Sequence, residues 1–271
     1  MSAFLYSSLL AVTIFLGECC HAALLGNPQV IDMTYTFDDT TVNWPTREPF
    51  RLKDTFRGYH EKGYYYEGSS YEGFEHSGTH VDAPSHFCKD KWRMDAVPLE
   101  RLMGPAVVVD VSNKTDNNAD YAVTAQDFQD WEVSNGRIPD GSIVLVRTGW
   151  GQYWSDKRKF LGTDTTDTSL LHFPGIDPEG ARWLVQNRGM HAVGIDTGSL
   201  SPGQSHTFSA HQVLCEADII GLECVANIDK LPTTGATVYA LPLKIGEGSG
   251  GPARVIAIIN NPASGSGKDE L

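Results

Sequence analysis

Apolar residues along this 271-residue chain fall into short, widely separated runs. Stretches at 106–111, 142–147, 192–195, 219–222, 237–243 and 254–259 are rich in β-branched and small apolar residues. Runs of that length, bounded by turn residues, read as buried strands. Two intervening segments carry helix signals instead. Thr124 can cap a helix running through Trp131, and Asp177-Pro178-Glu179 opens another that continues through Asn187 and stops at Gly189. Strands outnumber helices, and hairpins mix with αβ connections, so the pattern predicts a sheet-rich α/β domain. Neither a composition break nor an internal repeat divides residues 26–262. Residues 43–73 combine aromatics, glycine and charge without clear periodicity, which predicts a long loop.

Composition narrows the partners. With 41% hydrophobic and 20% charged residues the chain is ordinary for a soluble globular protein, long enough for one large core or two small ones. Its 34 acidic against 21 basic residues give a formal charge of -13, which disfavours nucleic acid and anionic membrane surfaces.

The ends predict a location. Residues 4–16 form an apolar run too short to span a bilayer well, followed by small residues at Cys20 and Ala22. That predicts a secretory signal peptide over residues 1–22, although its start lacks Lys or Arg; the competing reading is a buried helix. Residues 263–271 form a Ser/Gly-rich tail closing on Lys268-Asp269-Glu270-Leu271, a retrieval signal read by the KDEL receptor. Together the ends predict a soluble resident of the endoplasmic reticulum lumen with no membrane span in its mature form. Loss of Cys19 and Cys20 with the signal would leave Cys88, Cys215 and Cys224, enough for one intramolecular bridge and one free thiol. Asn113-Lys114-Thr115 is a glycosylation sequon, making Asn113 a candidate glycan site.

The candidate chemistry lies at residues 76–87, which read His-Ser-Gly-Thr-His-Val-Asp-Ala-Pro-Ser-His-Phe. His76, His80, Asp82 and His86 all occupy even positions, so an extended strand would aim them at one face. Gly78 and Pro84 oppose a helix while Thr79 and Val81 favour extended backbone, which predicts a strand bent at Gly78 and Pro84. Converging imidazoles and a carboxylate suit a divalent ion such as zinc or manganese. The same set would also serve a polar turn whose histidines only cap and hydrogen-bond.

This segment matches the H-x-G-T-H-x-D-x-P-x-H-F signature of the cyclase family and so resembles metal-dependent hydrolases that include bacterial kynurenine formamidases and isatin hydrolases. The resemblance runs from about Val30 to Ile259 and takes in Asn43-Trp44-Pro45, Gly194-Ile195-Asp196-Thr197, Ala210-His211, Glu223 and the glycine-rich stretch 246–254. It implies a swivelling β/β/α domain, a homodimer or larger homo-oligomer, and one or two divalent ions, zinc or manganese. Carried over by position, His76, His80 and Asp82 would ligate a first metal, with Asp82 bridging to a second held by His211 and Glu223. His86 would be the acid–base histidine, Trp44 would pack on the substrate ring, and Phe74, with Tyr64-Tyr65-Tyr66, would shape the pocket. The implied substrate is a small aromatic amide: N-formylkynurenine first, a cyclic aryl amide such as isatin second.

Blander readings stand beside these. Taken alone, His211 and Glu223 read as satisfied polar residues. His60, His172, His191 and His206 have no supporting pattern. Residues 246–251 lack the Lys-Ser/Thr of a phosphate-binding loop and read as a hairpin or pocket-lining loop; Asp196-Thr197-Gly198 is a single protease-like triplet without a partner. A non-catalytic luminal metal-binding scaffold is the reading from a different class.

Overall fold

The computed structural model describes residues 28–259. The expected signal peptide and retrieval tail lie outside the described residues. Twelve strands run in chain order: β1 Gln29–Asp32, β2 Arg51–Tyr59, β3 Tyr65–Glu72, β4 His80–Asp82, β5 Met103–Asp110, β6 Ala122–Val123, β7 Ile143–Arg147, β8 Gly175–Ile176, β9 Ala192–Ile195, β10 Ile220–Glu223, β11 Ala236–Pro242 and β12 Gly250–Ile259. Helices α1 Ser112–Thr115, α2 Ala125–Asn135, α3 Lys157–Leu161, α4 Pro178–Asn187 and α5 Ser209–Glu216 lie between them. Among the described residues, no helix is long and apolar enough to cross a membrane.

The main sheet curls until its ends meet. β12, β11, β5, β7, β9, β10 and β4 pair in that order, and β4 pairs back onto β12 to close a barrel-like ring. β5, β7, β9 and β10 are mutually parallel, the arrangement that demands apolar residues on both faces. Period-two alternation sorts them. Ala106, Val108, Ile143, Leu145 and Ala192 face the barrel interior with Val238 and Val255. Val107, Val109, Val144, Val146, Val193 and Ile195 face outward, against Phe128 and Trp131 of α2, Leu184 of α4 and Leu214 of α5. Helix ends follow local chemistry. Thr124 and Asp127 form a reciprocal capping box on α2, and Asp177 caps α4 with Pro178 at its first position. The α2 helix runs past Trp131 to Asn135, where Gly136 leaves it with φ 84°.

Two expectations require correction. Residues 43–73 contain no long loop over most of their length: β2 and β3 form a two-stranded hairpin. Its register shifts between Lys53 and Phe56, and both strands are exposed on both sides, so no alternation marks them in the sequence. Segment 76–87 is not one bent strand. Only His80–Asp82 is extended, and His86 sits on a 3₁₀ turn, Pro84–His86, because Pro84 starts a new turn where it would break a strand. Part of the glycine-rich stretch is also strand, since β12 begins at Gly250 to pair with β4.

Candidate metal centre

β4 is three residues long but is hydrogen-bonded on both edges, by β10 and by β12. His80 and Asp82 project from it to one side, as alternation requires. His76 reaches the same point through a tight turn at Gly78, whose φ of +56° and close neighbour, 2.8 Å from a notional Cβ to the Phe37 ring, disfavour any larger residue. Across the site, a Cβ on Gly250 would lie 2.4 Å from His76 Cε1, so a bare backbone there makes room for the imidazole. Glu223 ends β10 opposite His80, and His211 comes from the first turn of α5.

The donors converge. His76 Nδ1 lies 2.6 Å from Asp82 Oδ1, and His80 Nε2 lies 3.2 Å from Asp82 Oδ1 and 3.4 Å from Glu223 Oε2. His211 Nε2 lies 2.9 Å from Glu223 Oε1 and 3.7 Å from Asp82 Oδ2. Two overlapping sets result, His76–His80–Asp82 and Asp82–His211–Glu223, each with ligand atoms within 4.8 Å of one another and all buried. Outer partners orient them. His80 Nδ1 is 2.9 Å from the Gly78 carbonyl, His211 Nδ1 is 2.8 Å from Ser201 Oγ, and His76 Nε2 is 2.9 Å from Ser249 Oγ, which in turn donates to Glu75. Leu200 N–H donates to Glu223 Oε1 at 2.7 Å. This is how a protein aims the remaining ring nitrogen at a cation.

Buried His80 Nε2 and Asp82 Oδ2 have no hydrogen-bond partner of their own, a costly state unless another group completes them. Three imidazoles and two carboxylates in a buried cluster fit one or two divalent cations such as zinc or manganese. Electrostatics agree. Burial opposes charge on His80, yet Asp82 and Glu223 outweigh it and raise its pKa to about 10. Burial also opposes charge on His76, where Asp82 and Glu75 again win and raise the pKa. Asp82, despite its burial, is held well below the usual carboxylate range by His86 and His76. Glu223 is lowered to about 2: burial and Asp82 push it up, but the hydrogen bond to His211 and the nearby His80 ring prevail.

Above this cluster opens a cavity of about 280 Å³ lined by Trp44, Arg47, Phe74, His86, Phe87 and Phe208 among others. It lies near the small end of ligand pockets, roughly 300–1,000 Å³. His86 is outside both ligand sets; its ring stacks on His76 with centroids 3.7 Å apart, and burial lowers its pKa to about 4. The Phe74 ring lies 5.1 Å from that of His76, and Trp44 lies 5.7 Å from Phe208. Tyr64, Tyr65 and Tyr66 are exposed on the hairpin and line no part of this cavity, contrary to their expected place in the pocket.

Sequence reasoning missed Arg47, Phe208 and Ser201 here; nothing in their neighbourhoods marked them. His172 pairs with Asp120 and His191 Nδ1 is 3.2 Å from the Met103 carbonyl, both away from the cluster. Asp196 lines a separate cleft of about 470 Å³ with Tyr35 and Arg147. Its carboxylate accepts from Thr148 N, Thr148 Oγ1 and Gly149 N, which makes it a brace for the end of β7. Among the described residues, Cys88 and Cys215 are disulfide-bonded and Cys224 is free and buried. Asn113 is exposed on α1.

Comparison with known proteins agrees with this architecture. Residues 31–202 match the family model described as "Cyclase: Putative cyclase". The isatin hydrolase of Roseibium aggregatum is 36% identical over 193 residues, covering 68% of this chain and 72% of that protein. The kynurenine formamidase of Salinibacter ruber is 26% identical over 231 residues, covering 84% and 96%. Among solved structures, isatin hydrolase A from Ralstonia solanacearum superposes with TM-score 0.79 at 33% identity, covering 93% of this chain and 97% of the other. By this match and by its barrel, the chain belongs to the cyclase family of metal-dependent hydrolases.

Proposed function

We propose that this hydrolase cleaves the carbon–nitrogen bond of an aryl amide, with N-formylkynurenine, giving formate and kynurenine, as the leading substrate. The observation that carries it is the pair of buried ligand sets sharing Asp82 at the floor of an aromatic cavity. His76, His80 and Asp82 would hold one ion and Asp82, His211 and Glu223 a second. A bound divalent cation supplies Lewis acidity and lowers the pKa of water towards roughly 7. Trp44, Phe74, Phe87 and Phe208 hold the ring and exclude bulk water. His86, neutral near pH 7 because burial disfavours its charge, takes a proton at a ring nitrogen and returns it to the departing nitrogen. Water adds to the amide carbon, the carbon–nitrogen bond breaks, and the amine leaves protonated. The higher identity to an isatin hydrolase favours, as second reading, ring opening of a cyclic aryl amide by the same groups. A luminal home fits the Cys88–Cys215 bridge, which needs an oxidising compartment.

The test is metal analysis of the purified mature protein beside assays on N-formylkynurenine and isatin. His80→Ala should lose both bound metal and turnover. His86→Ala should keep its metal while kcat falls about 10²–10⁴-fold. Full turnover by metal-free protein would reject the mechanism, and a metal-loaded protein inert towards amides and lactones would favour the scaffold.

A further inference from the structure

Resting on that reading, we infer that Arg47 is a specificity residue which selects aryl amides carrying a carboxylate beyond the ring. Arg47 is the only arginine or lysine among the residues lining the cavity above the metal cluster. Its guanidinium carbon stands 5.2 Å from the centroid of the Phe74 ring, on the rim of the cavity. Among the described residues it makes no ion pair and no side-chain hydrogen bond, whereas Arg147, Arg182, Arg188 and Arg254 all pair with carboxylates. A free, exposed guanidinium is ordinary on a surface; one carried on an anchored turn at a pocket mouth is placed to meet a ligand.

The turn that carries it is held by hydrogen bonds to its backbone. Arg47 N–H donates to the Trp44 carbonyl at 2.9 Å, and Asn43 Nδ2 donates to the carbonyls of Trp44 and Arg47 at 3.0 and 2.6 Å. Asn43 is buried and bridges to Ser77, next to His76, while Gly78 N–H donates to the Val42 carbonyl. The Arg47 turn is therefore anchored to the segment that bears the ligands. A substrate with its amide at the floor would meet aromatic walls along its ring and a planar five-donor cation at the rim, the group best matched to a carboxylate. N-formylkynurenine carries such a carboxylate on its side chain; isatin carries none.

The experiment compares 4-(2-formamidophenyl)-4-oxobutanoate, which is N-formylkynurenine without its ammonium group, with 2′-formamidoacetophenone, which keeps the ring, ketone and formamide but lacks the carboxylate. In the metal-loaded mature protein, kcat/KM should favour the charged substrate by about ten- to a hundredfold, chiefly through KM. Arg47→Lys should retain much of that preference, Arg47→Met should bring the ratio towards unity, and Arg47→Glu should invert it. Raising the salt should shrink the wild-type ratio. A preference that survives in Arg47→Met, or is absent from the wild type, overturns the assignment. Calorimetric binding of 4-(2-aminophenyl)-4-oxobutanoate against 2-aminoacetophenone gives the same ratio without turnover. If neither formamide is hydrolysed, the proposed reaction fails, and the binding ratio alone then supports or overturns the role of Arg47.

Discussion

At His80, burial and charge pull in opposite directions, and the carboxylates of Asp82 and Glu223 decide the result: the ring keeps its proton to about pH 10 instead of 6.5. In the metal-free protein this contributes stability that is complete below pH 6.5 and is lost as the pH rises through about 10. An incoming cation must displace that proton, so metal affinity should climb with pH while metal-free stability declines. Calorimetry in buffers of differing ionisation enthalpy should find between one and two protons released per ion bound at His76 and His80 between pH 6 and 8, with Kd falling at least about tenfold per pH unit. A pH-independent Kd would contradict this balance. His76, His80 and Asp82 were legible in the sequence because a short signature packs them together. His211 and Glu223 were not legible from spacing: they meet Asp82 only through the fold, and the family resemblance alone pointed to them. Arg47 left no signal at all, since a lone arginine in an irregular stretch becomes distinctive only once its neighbours are known.

Individual elements were legible where both faces are buried. β5, β7, β9 and β10 appear as unbroken apolar runs because the barrel interior and the helix layer both claim them. The hairpin β2–β3 has no such imprint, and β4 is too short for periodicity to register; its extended form is imposed by β10 and β12. Helix α5 depends on more than its own sequence. Cys215 lies one turn after His211, and its bond to Cys88 ties the helix to the segment two residues beyond His86. A cross-link spanning 127 residues restricts the unfolded chain strongly. Cys88→Ala with Cys215→Ala should cost about 2–5 kcal/mol, a fall in Tm of roughly 5–15 °C, and weaken metal retention through His211. Thermal unfolding with and without reductant checks this; an unchanged Tm would show that the bridge adds nothing.

For the whole molecule, the α/β class and most of the barrel staves could be anticipated, but not the closure, because ring formation depends on which distant edges meet. The edge that completes the ring is the one bearing His80 and Asp82. A cation held by these residues would join β4 to Glu223 on β10 and to His211 beside it, and would act as a rivet through the seam of a cask. Chelation should let that seam breathe first. Amide exchange at Val81, Asp82, Gly221, Leu222 and Gly251 should quicken before that at Val107–Val109 or Val144–Val146, and uniform acceleration would deny the seam any special place. Such a protein would carry a built-in mark of metal hunger: starved of its ion, it would loosen along one line while the rest of the cask stayed shut.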